Sequence, residues 1–290
     1  MKTSSNHIAT LLEWIEKNLS GKLNADVISD KSGYTKWHLQ KMFKAHTGLT
    51  LTQYIKGRRL CKAAFELCFT NRKVADIADD FQFDSPQSFS RSFSLLYGVS
   101  PKQFRANNEI SFNNFTPKFI ADEKYSYVKG EFYSVDHLIV NGKTDSYCCS
   151  IKEMKKPHRN FRIPMRERFI NDNQLIHSSI YTLSKFSSLS NDTLLAEYHI
   201  GTVGSVNSIN NERLPVIFGD FLRFDMVGSE YEVDDFVLYI YMHIFSFNKL
   251  TRRVGYDVEV FTWGTNKTII YSYYIPVVFD KHLIKYISEN

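Results

Sequence analysis

Long hydrophobic runs, an export signal and paired cysteines are all missing from this chain of 290 residues. The longest apolar run, Phe236–Phe247, falls short of the ~18–20 residues that a transmembrane helix needs. The N-terminal segment has neither a continuous apolar stretch nor a small-residue cleavage site, so we expect no signal peptide. No C-x-x-C pair is present, which favours reduced thiols and a cytoplasmic location. The cysteines are Cys61, Cys68, Cys148 and Cys149.

Catalytic motifs are missing as well. The sequence has no H-E-x-x-H, G-x-S-x-G, G-x-G-x-x-G or P-loop pattern, and its histidines are scattered. A DNA-repair methyltransferase would need a reactive cysteine in a P-C-H setting, whereas Cys148 and Cys149 stand in Y-C-C-S. We therefore expect a protein that is not an enzyme and that uses neither a cofactor nor a metal ion.

The charge is unevenly distributed along the chain. Residues 1–108 hold 16 Lys and Arg against 9 Asp and Glu, a net charge of +7. Residues 109–290 hold 20 against 22, a net charge of −2. Such an asymmetry suggests that the basic segment contacts a polyanion, although a solvated basic surface has the same composition. The length suits two domains of ordinary size.

The first hundred residues contain an internal duplication. Segments 27–50 and 76–100 match at an offset of 49 residues before a turn and 50 after it. The matched pairs are Ile28 and Ile77, Ser29 and Ala78, Tyr34 and Phe83, Leu39 and Phe89, Lys41 and Arg91, Phe43 and Phe93, and Gly48 and Gly98. Because one residue added to the turn explains the step, the two segments are copies of one unit.

Each copy has the pattern of a helix-turn-helix unit. In the first, Gly33 gives the turn a permissive backbone and Thr35 is placed to cap the second helix. In the second, Ser85 is the cap and Pro86 fits the first helical position. A long helix over Leu51–Thr70 is predicted between the two units.

The second helix of each unit has an apolar and a polar face. In the first unit the apolar face holds Leu39, Met42, Phe43 and His46, and the polar face holds Trp37, Gln40, Lys41 and Lys44. In the second unit Phe89, Phe93 and Leu96 oppose Gln87, Arg91 and Ser94. Glutamine can pair with adenine, and lysine or arginine with guanine, so the polar faces fit the DNA major groove. Trp37 either meets thymine methyl groups there or folds back onto the domain.

Two recognition helices in one chain would let a monomer reach two major-groove segments about one turn, ~34 Å, apart. The connecting helix would then set their spacing. Basic residues near these helices are candidates for phosphate contacts, which position a protein without reading sequence. They are Lys36, Lys44, Lys56, Arg58, Arg59 and Arg105. Each of them fits a surface ion pair equally well.

Three stretches resemble the AraC/XylS family of transcription activators: GYTKWHLQKMFKAHTG, RRLCKAAFEL and IADDFQFDSPQSFSRSFSLLYGVSPKQFR. The third, from Ile77 to Arg105, carries the most specific pattern of the family. KWHLQ and FDSPQSFSR are most similar to the small stress and antibiotic-resistance activators. SYCCS (146–150) and NKLTRR (248–253) resemble members with an added C-terminal domain, so the resemblance covers nearly the whole chain.

The resemblance implies two homeodomain-like helix-turn-helix units in residues 1–107, a linker over 108–120 and a separate domain over 121–290. It also implies that bases are read by Trp37, Gln40, Lys41, Gln87, Ser88, Ser90 and Arg91. Two positions depart from the family. Lys41 stands where arginine is usual, which weakens guanine discrimination. Pro86 stands where the nearest relatives have glutamine, so the second helix would read less sequence.

Beyond residue 121 the sequence alternates between apolar and polar residues, which indicates strands, and two helical segments interrupt them. The predicted strands are Tyr125–Tyr127, Leu138–Val140, Ser179–Leu183, Leu194–Gly201, Phe221–Val227, Val258–Phe261 and Ile269–Pro276; the helices are Met165–Ile170 and Glu232–Phe247. This order indicates an α+β domain. The resemblance implies a GyrI-like fold, whose members often bind small amphipathic molecules in a cleft between two repeats.

Aromatic residues are dense in the second domain, 30 of 182 against 13 of the preceding 108. They would line a ligand pocket or simply fill the core of a sheet. Glu259 stands where some ligand-binding relatives have a pocket carboxylate, and a buried glutamate could select cations. Its alternation fits a solvated strand face equally well. Tyr147 and Trp263 are the other candidates for ligand contact.

Two functions fit these observations. One is a transcription regulator that binds double-stranded DNA as a monomer, contacts RNA polymerase and raises the expression of stress genes, with a small amphipathic effector on its second domain. The other is an architectural or non-specific DNA-binding protein without an inducer. No membrane partner is expected. A ligand-dependent change in promoter output would separate the two.

Overall fold

The structure, a computed structural model, describes residues 2–106, 110–111, 114–116, 123–150, 158–175, 178–190, 193–204, 212–264 and 268–290. The chain forms two compact units. Unit 1 consists of residues 1–68, 72–107 and 113–126, and unit 2 of residues 69–71, 108–112 and 127–290. Over these described ranges, no helix is long and apolar enough to cross a bilayer.

Unit 1 is helical. Its helices are α1 (Lys2–Lys17), α2 (Ala25–Ser32), α3 (Lys36–Thr47), α4 (Leu51–Phe69), α5 (Val74–Asp80), α6 (Pro86–Tyr97) and α7 (Pro101–Ala106). Helices α2 and α3 form the first helix-turn-helix unit, α5 and α6 form the second, and α4 joins them, as predicted. Leu39, Phe43, Phe89 and Phe93 are fully buried, so the apolar faces of α3 and α6 are the core of the two units.

The predicted caps are present. The Thr35 side chain accepts a hydrogen bond from the His38 backbone N–H, and Ser85 accepts one from Ser88. Thr50 and Gln53 bond reciprocally at the start of α4, and Ser100 and Gln103 do the same at the start of α7, with the same offset of 50 residues. The duplication therefore continues beyond the helix-turn-helix units. These bonds satisfy backbone donors that a helix leaves unpaired at its start.

The middle of the predicted linker, residues 114–116, packs against helices of unit 1. Phe115 is buried and its ring contacts the rings of Phe65 and Tyr97. The backbone of Thr116 bonds to Arg58 and Cys61 on α4. Residues 114–116 thus belong to the packing of unit 1, because an aromatic side chain in this segment has a hydrophobic site on the helices. The rest of the predicted linker, apart from residues 110 and 111, lies outside the described residues.

Unit 2 is built on one antiparallel sheet with helices on it. The strands are β1 (Ile110–Ser111), β2 (Glu131–Leu138), β3 (Asn141–Ser150), β4 (Ile180–Ser188), β5 (Thr193–Thr202), β6 (Glu212–Arg213), β7 (Ile217–Gly228), β8 (Thr251–Arg252), β9 (Asp257–Trp263) and β10 (Ile269–Pro276). The sheet has the order β2-β7-β10-β9-β4-β5-β3-β6, and β1 pairs separately with β8. The helices are α8 (Ile163–Asn173), α9 (Val233–Tyr239), α10 (Ser246–Asn248) and α11 (Lys281–Glu289).

The sheet has two similar halves. In each, a strand is followed by a helical segment and two further strands: β3, α8, β4 and β5 in one half, and β7, α9–α10, β9 and β10 in the other. The halves meet where β4 pairs with β9, and Thr182 lies directly opposite Glu259 at that junction. One π-helical turn, His158–Arg162, precedes α8, and another, Ile240–Phe245, joins α9 to α10.

Most of the secondary structure predicted for the second domain is present. Strands β4, β5, β7, β9 and β10 and both helical segments occur, and β10 has the predicted bounds. The strand predicted at Tyr125–Tyr127 is wrong, because a short 3₁₀ turn, Glu123–Tyr125, lies there. The strand predicted at Leu138–Val140 shares only Leu138 with β2, which ends at that residue. Strand β3 and helix α11 were not predicted.

Candidate nucleic-acid interface and ligand site

Helix α3 presents the polar face that the sequence predicts. The Trp37 side chain is 70% exposed, so it does not fold back onto the domain. The ammonium group of Lys41 lies 5.1 Å from the centre of the Trp37 ring, within the range of a cation–π interaction. Gln40 and Lys44 are exposed on the same face. The face therefore combines a flat aromatic surface, an amide and two cations.

A groove of about 460 Å³ lies beside this face. It is lined by Ala25, Trp37, Gln40, Lys41, Lys44, Thr50, Leu51 and Thr52. Four of the predicted contact residues are thus brought together with the first residues of α2 and α4. A helix start presents unpaired N–H groups and the positive end of the helix dipole, both of which favour an anion.

Helix α6 carries the second predicted face. Gln87 and Arg91 are exposed, whereas Ser88 and Ser90 are half-buried. The Ser88 hydroxyl donates to the Ser85 carbonyl at 3.1 Å, so Ser88 is partly engaged in the cap of its own helix. Gln87 and Arg91 are the side chains of α6 best placed to meet a ligand.

A second groove, of about 320 Å³, connects the two helix-turn-helix units. It is lined by Leu23, Asn24, Ala25, Leu51, Thr52, Ile55, Lys56, Arg59, Gln82, Phe83, Asp84, Ser88 and Ser92. Lys56 is exposed there. Arg59 donates to the carbonyls of Leu19 and Gly21, at 2.9 and 2.8 Å, and burial lowers its pKa. Arg59 therefore has a structural role in addition to its place in the groove.

Arg58 is not available for a phosphate contact, and that prediction is wrong. The side chain is buried and its Nε donates to Glu16 Oε1 at 2.8 Å. Burial alone would lower the pKa of Arg58, but the neighbouring Glu16 carboxylate outweighs it and raises the pKa. Arg58 also donates to the Thr116 carbonyl at 2.7 Å. On α4 the Arg58 side chain points toward α1. The sequence around Arg58 does not show which neighbouring helix its side chain will face.

Two other predicted phosphate ligands also have partners. Arg105 donates to the carbonyls of Leu67 and Arg72, the first of which lies in the last turn of α4. Lys36 pairs with Asp26, and both side chains are more than half exposed. An exposed ion pair of this kind contributes little, so Lys36 can exchange Asp26 for a phosphate at small cost.

In unit 2, Glu259 is buried rather than solvated. Its carboxylate accepts hydrogen bonds from Arg162 at 3.2 Å, Thr182 at 3.0 Å and Tyr271 at 2.9 Å. The alternative of a solvated strand face is therefore excluded. A second arginine, Arg166, is buried nearby, stacks at 4.0 Å on Phe261 and donates to Tyr198 at 2.7 Å. The carboxylate expected to select an external cation is thus already paired inside the protein.

Tyr147 belongs to the same cluster, because its hydroxyl accepts a hydrogen bond from Arg162 at 2.7 Å. Trp263 lies at the end of β9, where it is half-buried and its ring centre is 6.2 Å from that of Phe261. Of the three candidates for ligand contact, Tyr147 and Glu259 are joined through Arg162. Arg162 itself was not among the predicted site residues, since nothing in its local sequence distinguishes it from a surface arginine.

Backbone groups at two helix starts also belong to this surface, and they were not predicted. Asn24 caps α2 and Thr50 caps α4, and both helix starts line the grooves beside α3. The capping pattern Thr50 to Gln53 was a usable signal. Within the ranges that the structure describes, no group of three His, Cys, Asp or Glu side chains could hold a metal ion.

Comparison with known proteins identifies the family. A family described as "Helix-turn-helix domain" matches residues 28–107. The chain is 31% identical over 261 residues to the transcriptional regulator Rob of Salmonella typhimurium, covering 87% of this chain and 89% of Rob. It is 48% identical over 104 residues to the transcriptional activator AarP of Providencia stuartii, covering 36% of this chain and 77% of AarP. It is 47% identical over 98 residues to the regulatory protein SoxS of Salmonella typhimurium, covering 34% of this chain and 92% of SoxS.

The similarity to Rob extends over nearly the full length of both chains, so it includes unit 2 as well as the helix-turn-helix units. The residues that carry the family pattern form α5, α6 and α7 of unit 1. Sequence, fold and comparison agree. The chain therefore belongs to the AraC/XylS family of DNA-binding transcription regulators, and within it to the Rob-like members.

Proposed function

We propose that this protein binds an asymmetric duplex site as a monomer and activates transcription there. Helix α3 would occupy one major groove and α6 the next, about one helical turn away. The observation that carries this proposal is the exposed face of α3. A tryptophan that is 70% exposed lies there beside an amide and two cations, and this combination of apolar, hydrogen-bonding and positively charged groups suits the base edges and phosphates of a major groove.

Each side chain on these faces has a base that it suits. Gln40 and Gln87 can pair with adenine through two hydrogen bonds, and Lys41 and Arg91 can bind guanine. Trp37 offers an apolar surface to thymine methyl groups. The half-buried hydroxyls on α6 would add weaker contacts. Since Pro86 has no side-chain donor, we expect the site read by α6 to be less specific than the site read by α3.

The phosphate backbone would be held by exposed cations and by helix starts. Lys44 and Lys56 are exposed at the two grooves, and the first turns of α2 and α4 open onto the same surface. Lys36 would also contact a phosphate once its ion pair with Asp26 is broken. Phosphate contacts of this kind release counterions, so the affinity should fall steeply as salt rises.

Activation and its targets are inferred from relatives. AarP is described as a transcriptional activator, and the family resemblance is to activators of stress and antibiotic-resistance genes. An activator of this kind would contact RNA polymerase next to its site. We expect the protein to act in the cytoplasm, where the DNA and the polymerase are.

Unit 2 would be a GyrI-like effector domain for a small amphipathic molecule. Two similar halves meet at β4 and β9, and an aromatic cluster with a buried carboxylate lies close to that junction. Tyr147, Glu259 and Trp263 would contribute to ligand binding there. The charge of Glu259 is already balanced by Arg162.

Selection of sites from a random duplex library tests the DNA-binding proposal. Wild type should enrich an asymmetric motif about two helical turns long. The Trp37→Ala, Gln40→Ala double variant should lose one half of that motif, while Gln40→Ala alone should cost about 1–3 kcal/mol on the selected site. A matched control is Lys285→Ala on α11, which removes an exposed cation of unit 2.

Two results would contradict the proposal. A symmetric motif would show that two chains bind together, against the monomer. Salt-sensitive binding with no enriched motif would instead support the second candidate, an architectural or non-specific DNA-binding protein. An equal loss for Gln40→Ala on every sequence would remove Gln40 from the base-reading residues.

A further inference from the structure

Leu95 on α6 is 87% exposed, the highest exposed fraction among the large hydrophobic side chains that the structure describes. The core of the second helix-turn-helix unit does not need this side chain, because Phe93 is fully buried and Leu96 is half-buried on the apolar face of the helix. A single exposed leucine is common on protein surfaces and by itself indicates nothing. What distinguishes Leu95 is its position on α6.

Leu95 lies on the stripe of α6 that faces away from the core. Side chains four residues apart are neighbours on one side of a helix, so Gln87, Arg91 and Leu95 form a continuous line. Gln87 and Arg91 are exposed, and the proposed function gives both of them base contacts. Ser92, three residues before Leu95, is its neighbour toward the groove between the two helix-turn-helix units, which it lines. Leu95 therefore lies between two parts of the proposed DNA surface.

The internal duplication gives the three residues of this stripe counterparts on α3. At the offset of 50 residues the pairs are Trp37 and Gln87, Lys41 and Arg91, and Ala45 and Leu95. Each helix thus has one cation in the middle of its stripe and one large apolar side chain at one end. The apolar side chain is in the first turn of α3 but in the last turn of α6, about 12 Å farther along the helix. It has changed its place between the copies rather than disappeared.

The chemistry of the major groove gives an apolar side chain one kind of base. Of the four bases only thymine presents an apolar group there, its C5-methyl, whereas the others present hydrogen-bond donors or acceptors alone. Leucine has no donor, so a phosphate oxygen is not a partner for it either. A leucine on a base-reading stripe therefore suits a thymine.

We propose that Leu95 contacts the methyl group of a thymine and makes the sequence read by α6 specific at that base. The inference rests on the proposed function, since it requires α6 to lie in a major groove. Arg91 and Leu95 are about 6 Å apart along the helix and base pairs are spaced by about 3.4 Å, so the thymine lies within about two base pairs of the guanine that Arg91 binds. Pro86 offers no donor at the start of α6, and Leu95 supplies specificity from the opposite end.

The test removes one methyl group from the DNA. A duplex site is selected with the full-length chain, and the half read by α6 is identified as the half that Arg91→Ala fails to select. Each thymine of that half is then replaced in turn by deoxyuridine, which lacks the C5-methyl and keeps the hydrogen-bonding groups. At one thymine the replacement should weaken binding by wild type about fourfold in fluorescence anisotropy, the amount expected for one buried methyl group. Leu95→Ala should bind the two duplexes equally.

Three controls accompany this measurement. Leu95→Met keeps an apolar side chain of similar volume and should retain the preference for thymine. Leu189→Ala removes a leucine of unit 2 that is 57% exposed and should behave like wild type. Deoxyuridine in the half read by α3 should affect wild type and Leu95→Ala alike. Because Leu95 is exposed, Leu95→Ala should also unfold at the Tm of wild type, so that a loss of binding is not a loss of folding.

Equal effects of deoxyuridine on wild type and on Leu95→Ala at every position would overturn the proposal, while an asymmetric motif in the same experiment would leave the proposed function standing. Unchanged DNA binding by Leu95→Ala together with a lower promoter output would also overturn it, and would place Leu95 in a contact with RNA polymerase. If wild type enriches no motif at all, the thymine contact and the proposed function fail together.

Discussion

At the scale of single residues, the basic side chains of unit 1 divide by what they contact. Lys44 and Lys56 extend from helix surfaces into solvent, whereas Arg58, on the same helix as Lys56, turns inward to Glu16. A guanidinium suits a buried site because its planar donors match a carboxylate and a carbonyl at once, as Arg58 does with Glu16 and Thr116. The positive charge of unit 1 is therefore only partly available to DNA.

Salt dependence distinguishes the two kinds of residue. Lys44→Ala should reduce the slope of log affinity against log salt by about 0.9, the amount expected for one lost phosphate contact. Arg58→Ala should leave the slope unchanged and instead lower stability. Binding of a cognate duplex is measured across a salt series by fluorescence anisotropy. Lys285→Ala removes a lysine from unit 2 and should change neither quantity. A flatter slope for Arg58→Ala would return Arg58 to the phosphate contacts.

The buried Glu16–Arg58 pair should make unit 1 sensitive to acid. Burial alone would raise the pKa of Glu16, but the charge and hydrogen bonds of Arg58 outweigh it and lower the pKa below 4.5. The stabilisation is therefore complete above about pH 4.5 and is lost as the pH falls through the lowered pKa. Glu16→Gln should cost about 3 kcal/mol at neutral pH, because it leaves Arg58 buried without its counter-ion.

Urea denaturation between pH 3 and pH 7 measures this effect. The loss for Glu16→Gln should shrink toward the acid end, where the wild-type carboxylate is itself protonated. Glu13→Gln, an exposed glutamate on the same helix, is the matched control and should be nearly neutral. A loss that is the same at every pH would show that the carboxylate charge contributes nothing.

At the scale of elements, the two copies of the helix-turn-helix unit differ in their turns. Gly33 has a φ of +70°, and the corresponding residue of the second copy, Gln82, has a φ of +59°. The second copy thus adopts the left-handed conformation without a glycine. One additional residue then follows before the cap, which explains the step in the offset between the copies.

Removing the backbone strain at Gln82 should stabilise the second helix-turn-helix unit. Gln82→Gly removes a Cβ from the left-handed region and should raise the free energy of unfolding by roughly 0.5–1 kcal/mol. The substitution also removes a weak bond from the Gln82 side-chain amide to the Asp79 carbonyl, at 3.4 Å. The reciprocal change, Gly33→Gln, adds a Cβ that has no neighbouring atom within 4 Å, so it should cost a similar amount through backbone strain. Both are measured by chemical denaturation. A stabilising Gly33→Gln would contradict the argument.

Helix α4 packs against residues 114–116, a later segment of unit 1. An added Cβ on Gly57 would lie 2.0 Å from Oγ1 of Thr116, so the glycine permits residues 114–116 to lie against the helix. The same segment accepts the hydrogen bond of Arg58. Since α4 joins the two helix-turn-helix units, this segment packs against the helix that we expect to set their spacing.

At the scale of the whole molecule, one chain already contains two helix-turn-helix units. We therefore expect one chain of 33.8 kDa on each duplex of about two helical turns. Sedimentation velocity of the complex on a selected site measures the stoichiometry. Two chains per duplex at saturation would show that the site is read by a dimer, and that the second helix of each chain is not needed for the motif.

Much of unit 1 could be predicted from the sequence, for a local reason. Caps, left-handed glycines and the apolar face of a helix depend on residues that are close in sequence. Local sequence around Thr35, Gly48 and Ser85 is therefore enough to indicate where a helix begins or ends. The caps and the apolar faces recur in both copies, whereas the turn glycine Gly33 is replaced by Gln82 in the second. The same periodicity placed Trp37 on the face opposite Leu39 but left open whether its ring folds back onto the domain, and the structure shows the side chain exposed.

A local sequence pattern does not show which distant residue a side chain will contact. The sequence alone established two helix-turn-helix units, an α+β second domain and the membership of a regulator family. Only the tertiary structure decided that Arg58 pairs with a glutamate 42 residues away and that Glu259 pairs with Arg162, 97 residues away. A charge contributes little to local propensity, and its partner is chosen by the packing of elements distant in sequence. The sequence therefore determined which elements form, and the fold determined which charges are left for DNA and for a ligand.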